Sequence, residues 1–153
     1  MIVLYIEQFS PANRHSELIE KLVDIWHKSV CATHLFLTDS DINEIKTQVY
    51  EGLKIVPILL VVYDNKNPIG FAGIDADERK LEMLFILPAY FKQAIGYKLI
   101  STAIDDYKVT YVDVNEQNPS ALKFYQRQGF SVFNRLATDD MNRPFPILQL
   151  ILN

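Results

Sequence analysis

Hydrophobic and polar residues follow two different periods along this chain, and the period changes several times. Seven short segments show the two-residue alternation or the brief apolar runs that are typical of β-strands. They cover residues 1–9, 58–63, 69–74, 81–87, 109–114, 130–135 and 147–152. Four other segments repeat apolar residues at three- and four-residue spacing, which is typical of amphipathic helices, and begin near residues 16, 38, 95 and 119. The predicted order is therefore β-α-α-β-β-β-α-β-α-β-β.

Local signals place several boundaries of these elements. Thr38 and Asp41 have the spacing of a capping box at the start of the second helix, which we expect to end near Gly52. Residues 64–68, Asp-Asn-Lys-Asn-Pro, predict a hairpin turn between two strands. Gly129 is expected to stop the last helix in a left-handed conformation.

Composition and charge limit the classes of protein that need to be considered. The chain has 153 residues, 49% of them hydrophobic and 22% charged, which predicts a single globular domain over residues 1–153. Its one cysteine, Cys31, excludes an internal disulfide and agrees with a cytoplasmic protein. Signal and membrane-spanning segments are not apparent. A net charge of −4 without a basic cluster argues against nucleic acid as a ligand and is compatible with a cationic amine substrate.

The segment 81–114 predicts a βαβ unit, so its two strands should be parallel and joined by a right-handed crossover. The loop that enters its helix would present backbone N–H groups that have no partner inside the helix, and the helix dipole adds positive charge there. A pyrophosphate could therefore bind over residues 92–97. Every βα junction has this geometry, so a loop without a ligand is the alternative at this point.

A second pattern follows the unit, because residues 118–130 read N-P-S-A-L-K-F-Y-Q-R-Q-G-F. This resembles motif B of the GNAT superfamily of N-acetyltransferases, N-x-x-A-x-x-x-Y-x-x-x-G-F. Helix capping accounts for the Asn, the Pro and the Gly, but it does not require Ala121, Tyr125 and Phe130 at these spacings. The segment 84–86 likewise looks like the motif A strand of the same family.

The resemblance implies the GNAT fold, and the predicted order of elements agrees with that fold. Its class is α/β (α+β), with a mixed, mostly antiparallel sheet flanked by about four helices. A central parallel strand pair splays apart to form the acetyl-CoA cleft. The cofactor implied by the resemblance is therefore acetyl-CoA (coenzyme A).

The cofactor loop departs from the family pattern at two positions. The family reads Q/R-x-x-G-x-G/A, whereas this chain, aligned on Gly96, has Phe91 at the polar position and Ala94 at the first glycine. Glycine at that position allows close approach of the backbone, and Lys92 or Gln93 could supply a side-chain contact instead. The cofactor-binding residues that the resemblance implies are Leu84, Phe85, Ile86, Phe91, Lys92, Gln93, Ala94, Ile95, Gly96, Tyr97, Asn115, Asn118, Ser120 and Tyr125.

Residues 26–37 read W-H-K-S-V-C-A-T-H-L-F-L. They are similar to the W-x-x-S-x-x-A-T-H-x-F-L stretch of small bacterial YjaB-like acetyltransferases. Within the fold this segment covers the acceptor side of the cleft, so the implied substrate-binding residues are Trp26, Ser29, Thr33 and His34. The alternative is that the apolar residues of the segment only anchor it to the core.

Acetyl transfer to an amine needs a held thioester carbonyl, a neutral amine and a proton for the departing thiolate. Backbone N–H groups of the strand 84–86 could hold the thioester carbonyl. Tyr125 could protonate the departing thiolate, because a phenol can donate a proton, and the alternative is that Tyr125 is only a packed aromatic. The general base is open between Glu82, His34 and a chain of waters. The predicted catalytic residues are Tyr125, Glu82 and His34, and no metal ligands are predicted.

The sequence thus predicts an N-acetyltransferase, monomeric or homodimeric, that moves an acetyl group from acetyl-CoA directly to a primary amine. The acceptor is open between a small molecule and a peptide amine. The alternative, which follows from Phe91 and Ala94, is a coenzyme A-binding or sensing module without catalysis.

Overall fold

A computed structural model of the protein describes residues 4–153, so residues 1–3 of the first predicted strand lie outside it. The elements are β1 Leu4–Phe9, α1 Ser16–Thr33, α2 Asp39–Ile55, β2 Ile58–Asp64, β3 Asn67–Asp75, β4 Lys80–Ile86, α3 Ile95–Tyr107, β5 Tyr111–Asn115, α4 Pro119–Arg127, β6 Phe130–Leu136 and β7 Ile147–Leu152. The predicted order of elements is confirmed.

The chain divides into two compact units, one up to Val109 and one from Thr110 onwards. A single domain over residues 1–153 stays a prediction.

The first unit contains a ladder of four antiparallel strands, in which β1 pairs with β2, β2 with β3 and β3 with β4. The hairpin between β2 and β3 is confirmed but is tighter than predicted. Both strands continue into the expected turn, with Asp64 paired to Asn67, and only two residues connect them. Asn65 there has a φ of 55°, the left-handed conformation that such short hairpin loops require.

Helices α1 and α2 bury their apolar sides in one core with the sheet of the first unit. This core consists of buried apolar side chains from the two helices and the strands. They include Leu22, Ile25, Trp26, Ile42, Leu53, Leu59, Val61 and Phe71. The predicted capping box is confirmed, because the Thr38 and Asp41 side chains each accept a hydrogen bond from the other's backbone N–H. The predicted end of α2 near Gly52 is wrong by one turn, since Leu53 is fully buried and its packing extends the helix to Ile55.

A buried arginine joins the end of β1 to the end of α2. Arg14 is only 7% exposed. Its guanidinium donates to the carbonyl oxygens of Phe9 at 3.0 Å and Leu53 at 3.0 Å, with longer bonds to Lys54 and Pro57 at 3.4 Å. Burial lowers the pKa of Arg14 from its ordinary value. The guanidinium satisfies carbonyl groups that helix α2 leaves without partners at its C-terminus.

The second unit contains three antiparallel strands, with β7 between β5 and β6, and helix α4. The loop 137–146 is organised by Asp139, whose Oδ1 accepts the backbone N–H groups of Met141 and Arg143. The Arg143 guanidinium also contacts Asp139 Oδ2 at 3.0 Å, with both side chains largely buried. This loop therefore has a defined conformation although its sequence is polar.

One predicted strand begins two residues later than its apolar run suggests. Val109 is buried, but its N–H donates to the carbonyl of Ala103 at 3.2 Å and closes the end of α3. Lys108, in the left-handed conformation, turns the chain out of that helix. Among the helices of residues 4–153, none has the length and apolar content needed to cross a membrane.

We expect Arg14→Met to lower the free energy of unfolding by about 3 kcal/mol, because the variant leaves buried carbonyl oxygens without donors. Urea unfolding measures this change. Lys28→Met is the control, because the ion pair of Lys28 with Asp24 at 2.9 Å is more than half exposed on both sides. It should change stability by less than about 0.5 kcal/mol. Equal urea midpoints for the two variants would contradict a stabilising role for the hydrogen bonds of Arg14.

Candidate active site

Strand β4 carries the first group of predicted site residues. It pairs with β3 through Phe85 opposite Phe71 and Met83 opposite Gly73, while Leu81 lies opposite Ile74. Glu82 is therefore an extra residue on β4, a β-bulge, and its side chain is exposed. The predicted cofactor strand, Leu84 to Ile86, is half-buried and lies directly after this bulge.

The loop after β4 is anchored at its beginning. Residues Pro88–Tyr90 form a short 3₁₀-helix, and the Tyr90 hydroxyl donates to Asp64 Oδ2 at 2.5 Å. This hydrogen bond raises the pKa of Tyr90. Asp64 ends β2, so the bond fixes the loop to the β2–β3 hairpin. Sequence reasoning missed this contact, since nothing in the local pattern relates the two side chains.

Ala94 has φ 61° and ψ 16°, the left-handed conformation, and helix α3 begins at the next residue without a side-chain cap. Lys92 also has a positive φ, 65°. Within residues 4–153, the backbone N–H groups of 92–97 have no protein acceptor, and the first helical bond comes from Lys98 to the Ala94 carbonyl. N–H groups arranged in this way, at the positive end of a helix, form an anion-binding concavity.

The side chains of this loop differ in exposure. Ile95 is fully buried and anchors α3 together with Leu99 and Ile100, so only its backbone is free to contact a ligand. Phe91 is 37% and Tyr97 57% exposed. The remaining polar side chains, those of Lys92 and Gln93, are exposed, and Gln93 Nε2 makes a long bond of 3.4 Å to the Ala89 carbonyl.

The end of α1 holds the second group of site residues. Trp26 is 2% exposed and packs in the core of the first unit, and its predicted contact with the substrate stays a prediction. Ser29 is buried, and its carbonyl accepts a hydrogen bond from Thr33 Oγ1 at 2.8 Å. Thr33 Oγ1 also lies 2.8 Å from His34 Nδ1. The structure therefore brings Ser29, Thr33 and His34 together at the helix end.

Burial lowers the pKa of His34 below its ordinary value of 6.5. The imidazole is half-buried and lies against the Phe36 ring, with centroids 5.5 Å apart. A lowered pKa means that His34 is neutral at neutral pH. It can then accept a proton, which an imidazolium cannot do.

The second unit holds the remaining site residues, on and beside α4. Asn118 caps the helix as predicted, with its side-chain oxygen accepting the Ala121 N–H at 3.3 Å, and its own N–H bonds to the Asn115 carbonyl at 3.0 Å. Ser120 is exposed on the first turn. Gly129 has a φ of 102°, as its predicted left-handed role requires.

Tyr125 is the buried residue of α4, at 7% exposure. Its ring makes edge-to-face contacts with Phe124 and Phe130, at centroid distances of 5.0 and 5.8 Å. Burial raises the pKa of its hydroxyl well above the ordinary value of 10.0. Tyr125 is therefore a phenol that stays protonated at every working pH.

A family model described as an acetyltransferase (GNAT) domain matches residues 45–141. This chain belongs to the GNAT acetyltransferase family. Within it, the chain is 37% identical to the peptidyl-lysine N-acetyltransferase YjaB of Salmonella typhimurium over 139 residues, 91% of this chain and 94% of the relative. The Escherichia coli YjaB protein is 35% identical over 138 residues, 90% and 92% of the two chains. As predicted from its motifs, this GNAT protein is an acyltransferase.

Solved structures of GNAT proteins share the fold. The solution structure of apo YjaB from Escherichia coli has a TM-score of 0.84 and 33% identity, covering 97% of both chains. The PaiA N-acetyltransferase of Thermoplasma acidophilum, solved with coenzyme A, has a TM-score of 0.71 and 22% identity, covering 96% of this chain and 98% of its own. The predicted fold class, a mixed and mostly antiparallel sheet with flanking helices, is confirmed, and residues 4–153 contain four α-helices.

We expect Ala94→Gly to raise the free energy of unfolding by about 0.5–1 kcal/mol, because glycine adopts the left-handed conformation without the steric cost that alanine has there. Removal of the Cβ should also tighten binding of acetyl-CoA by opening the approach to the N–H groups. Thermal unfolding and titration calorimetry measure the two effects.

Lys108→Gly is the matched control, since Lys108 is also left-handed but ends α3 at the opposite terminus. It should leave the affinity for acetyl-CoA unchanged. Unchanged or weaker binding by Ala94→Gly would mean that the phosphates do not approach residue 94.

Proposed function

We propose that this protein moves an acetyl group from acetyl-CoA directly to the side-chain amine of a lysine in a peptide or protein. The observation that supports donor binding most strongly is the left-handed backbone at Ala94, which leaves the N–H groups of 92–97 unpaired at the start of α3. The similarity to YjaB proteins named as peptidyl-lysine acetyltransferases supports lysine as the acceptor.

The donor side uses backbone groups almost entirely. The N–H groups of residues 92–97 would hold the pyrophosphate of coenzyme A, with Lys92 available as an exposed cation. On β4, Leu84 and Ile86 direct their backbone N–H and C=O groups away from β3. Those groups suit the amides of pantetheine and the carbonyl of the thioester. Acetyl-CoA supplies the activated acetyl group.

On the acceptor side, a lysine ammonium must lose a proton before its nitrogen can attack. We assign this task to His34, because its lowered pKa keeps it neutral at neutral pH. Glu82, exposed at the bulge of β4, is the alternative base. If Glu82 serves instead, Glu82→Gln and not His34→Gln will abolish turnover.

Tyr125 is proposed as the acid at the leaving group, on the strength of its place in motif B. Its hydroxyl stays protonated because of its raised pKa and can donate toward the sulfur as negative charge develops there. The amine nitrogen bonds to the acetyl carbon as the carbon–sulfur bond breaks. Overall, the lysine ammonium loses two protons when the amide forms. One of them makes up for the proton that the thiolate gains, and the other passes through the base to solvent.

A coenzyme A-binding module without catalysis is the second candidate, motivated by Phe91 and Ala94. The left-handed conformation of Ala94 weakens that case, because the backbone takes the glycine-type geometry although glycine is absent. Assays of thiol release distinguish the two candidates, since a module would bind acetyl-CoA and release no thiol when an amine is present.

The acceptor is tested with a lysine-containing peptide whose N-terminus is blocked. The matched control peptide has arginine at the same position, and a third peptide has a free N-terminus and no lysine. Thiol release with the first peptide alone supports the proposal. Release with the free N-terminus alone, or only with small amines, would contradict lysine as the acceptor. A cytoplasmic location and a monomeric or homodimeric state stay predictions.

Tyr125→Phe should lower kcat by about 10²-fold, because the variant keeps the ring and its packing but removes the proton donor. This corresponds to about 2.7 kcal/mol of activation free energy. Affinity for acetyl-CoA and thermal stability should barely change. Tyr111→Phe on β5 is the control for loss of a hydroxyl outside the motif and should retain full kcat. If both variants keep wild-type kcat, Tyr125 is only a packed aromatic.

His34→Gln should show a pH-dependent defect. The wild-type to variant ratio of kcat/KM cancels the titration of the acceptor lysine, so it isolates the imidazole. Because burial lowers the pKa of His34 from 6.5, the ratio should be constant in the neutral and alkaline range and should fall as the pH drops through that lowered pKa and the imidazole becomes protonated. His27→Gln is the control and should give a ratio near one. A ratio that is constant throughout the acid range would exclude His34 as the base.

A further inference from the structure

We propose that Thr33 is a positioning residue that fixes the ring tautomer of His34, so that Nδ1 carries the proton and Nε2 is the base. This inference rests on the assignment of His34 as general base in the proposed function. It starts from two contacts of one hydroxyl group. Thr33 Oγ1 lies 2.8 Å from the Ser29 carbonyl oxygen and 2.8 Å from His34 Nδ1.

A threonine hydroxyl has only one proton, and the Ser29 carbonyl oxygen can only accept. If the hydroxyl proton pointed to His34, two oxygen atoms would face each other at 2.8 Å without a proton between them. The hydroxyl therefore donates to Ser29. Its oxygen then accepts from His34 Nδ1, which must carry a hydrogen. The hydrogen-bond pattern thus assigns the Nδ1–H tautomer.

In the neutral ring, that assignment leaves the lone pair on Nε2. No hydrogen bond from residues 4–153 reaches Nε2, so its lone pair is available to an incoming ammonium. The backbone of His34 is held as well, because its N–H donates to the Val30 carbonyl at 2.8 Å and its carbonyl accepts from Leu37 at 3.1 Å. Both the position and the tautomer of the ring are therefore fixed before a substrate binds.

A threonine near a helix end commonly bonds back to the carbonyl four residues earlier, and that bond alone has no functional meaning. The contact with Nδ1 is the additional feature. Partners of this kind set the tautomer of histidines in other sites, where a carboxylate or carbonyl accepts from Nδ1–H and leaves Nε2 free to act. Here a hydroxyl, itself oriented by Ser29, takes that position.

Nitrogen-15 NMR of the histidine side chains, recorded on the free protein above the pKa of His34, reports which ring nitrogen carries the proton. The chain has three histidines, and His34→Gln identifies the signals of His34. We expect the Nδ1–H form in the wild type. In Thr33→Val, which has the same shape but no hydroxyl, the Nδ1–H signal should give way to the other tautomer. Thr33→Ser should preserve it.

The same variants are then assayed for acetyl transfer. Thr33→Val should lose about tenfold in kcat, the factor that corresponds to about one hydrogen bond, with KM for acetyl-CoA unchanged. Thr33→Ser should restore most of that loss. Thermal unfolding of both variants shows whether the fold is retained, and the serine variant keeps the test decisive if valine destabilises the helix end.

The outcomes separate this inference from the proposed function. An Nε2–H tautomer in wild type, or an unchanged spectrum in Thr33→Val, overturns the role of Thr33 whatever the activity shows. A lost Nδ1–H signal with unchanged kcat overturns the positioning role as well, and it moves the base away from His34. Absence of acetyl transfer in the wild type contradicts the proposed function and with it the role of Nε2 as base, whereas the control of the tautomer by Thr33 is still decided by the spectra, which are recorded without substrate.

Discussion

The left-handed turn at Ala94 is the constraint on which the candidate donor site depends. It ends the loop after β4 and starts α3 at once, without a side chain that caps the helix. The conformation costs an alanine about 1–2 kcal/mol. It is maintained because Ile95, Leu99 and Ile100 are buried and because Tyr90 fixes the preceding 3₁₀-helix to Asp64. The free N–H groups are the product of this arrangement, and they are what a phosphate needs.

Burial shifts the pKa values of the two side chains that we assign to proton transfer in opposite directions, and in both cases it favours the uncharged form. A low-dielectric environment disfavours charge, so it lowers the pKa of His34 and raises the pKa of Tyr125. The histidine is then a neutral base and the tyrosine a neutral acid at the same pH. Tyr125 is buried and His34 is half-buried, so the surroundings of each side chain disfavour its charged form.

Much of the fold follows from local sequence because the caps and turns are chemically specified. The Thr38–Asp41 capping box, the Asn118 cap and the left-handed Gly129 all agree with the structure. The misplaced boundary at Gly52 has a non-local cause, since burial of Leu53 in the core extends α2. Likewise, Arg14 is buried because distant carbonyl groups converge on it, and no local pattern of charge predicts that.

In the candidate site, too, some features are predicted by the sequence and others depend on the folded structure. The motif resemblance pointed to the loop and to Tyr125, but the sequence predicts no left-handed alanine, because alanine seldom adopts that conformation. The contacts of Thr33 with Ser29 and His34 follow from the helix geometry at the end of α1. They also depend on the ring orientation of His34, which sequence does not determine.

A single-turnover experiment followed by mass spectrometry tests whether the acetyl group passes directly from acetyl-CoA to a lysine side chain, as we propose. Protein in excess is mixed with acetyl-CoA and the lysine peptide whose N-terminus is blocked. The masses of the peptide and of the protein are measured by mass spectrometry at successive times. We expect one acetyl group to appear on the lysine Nζ at the rate of thiol release, while the protein mass stays unchanged. A transiently acetylated protein, or thiol release without an acetylated peptide, would contradict it.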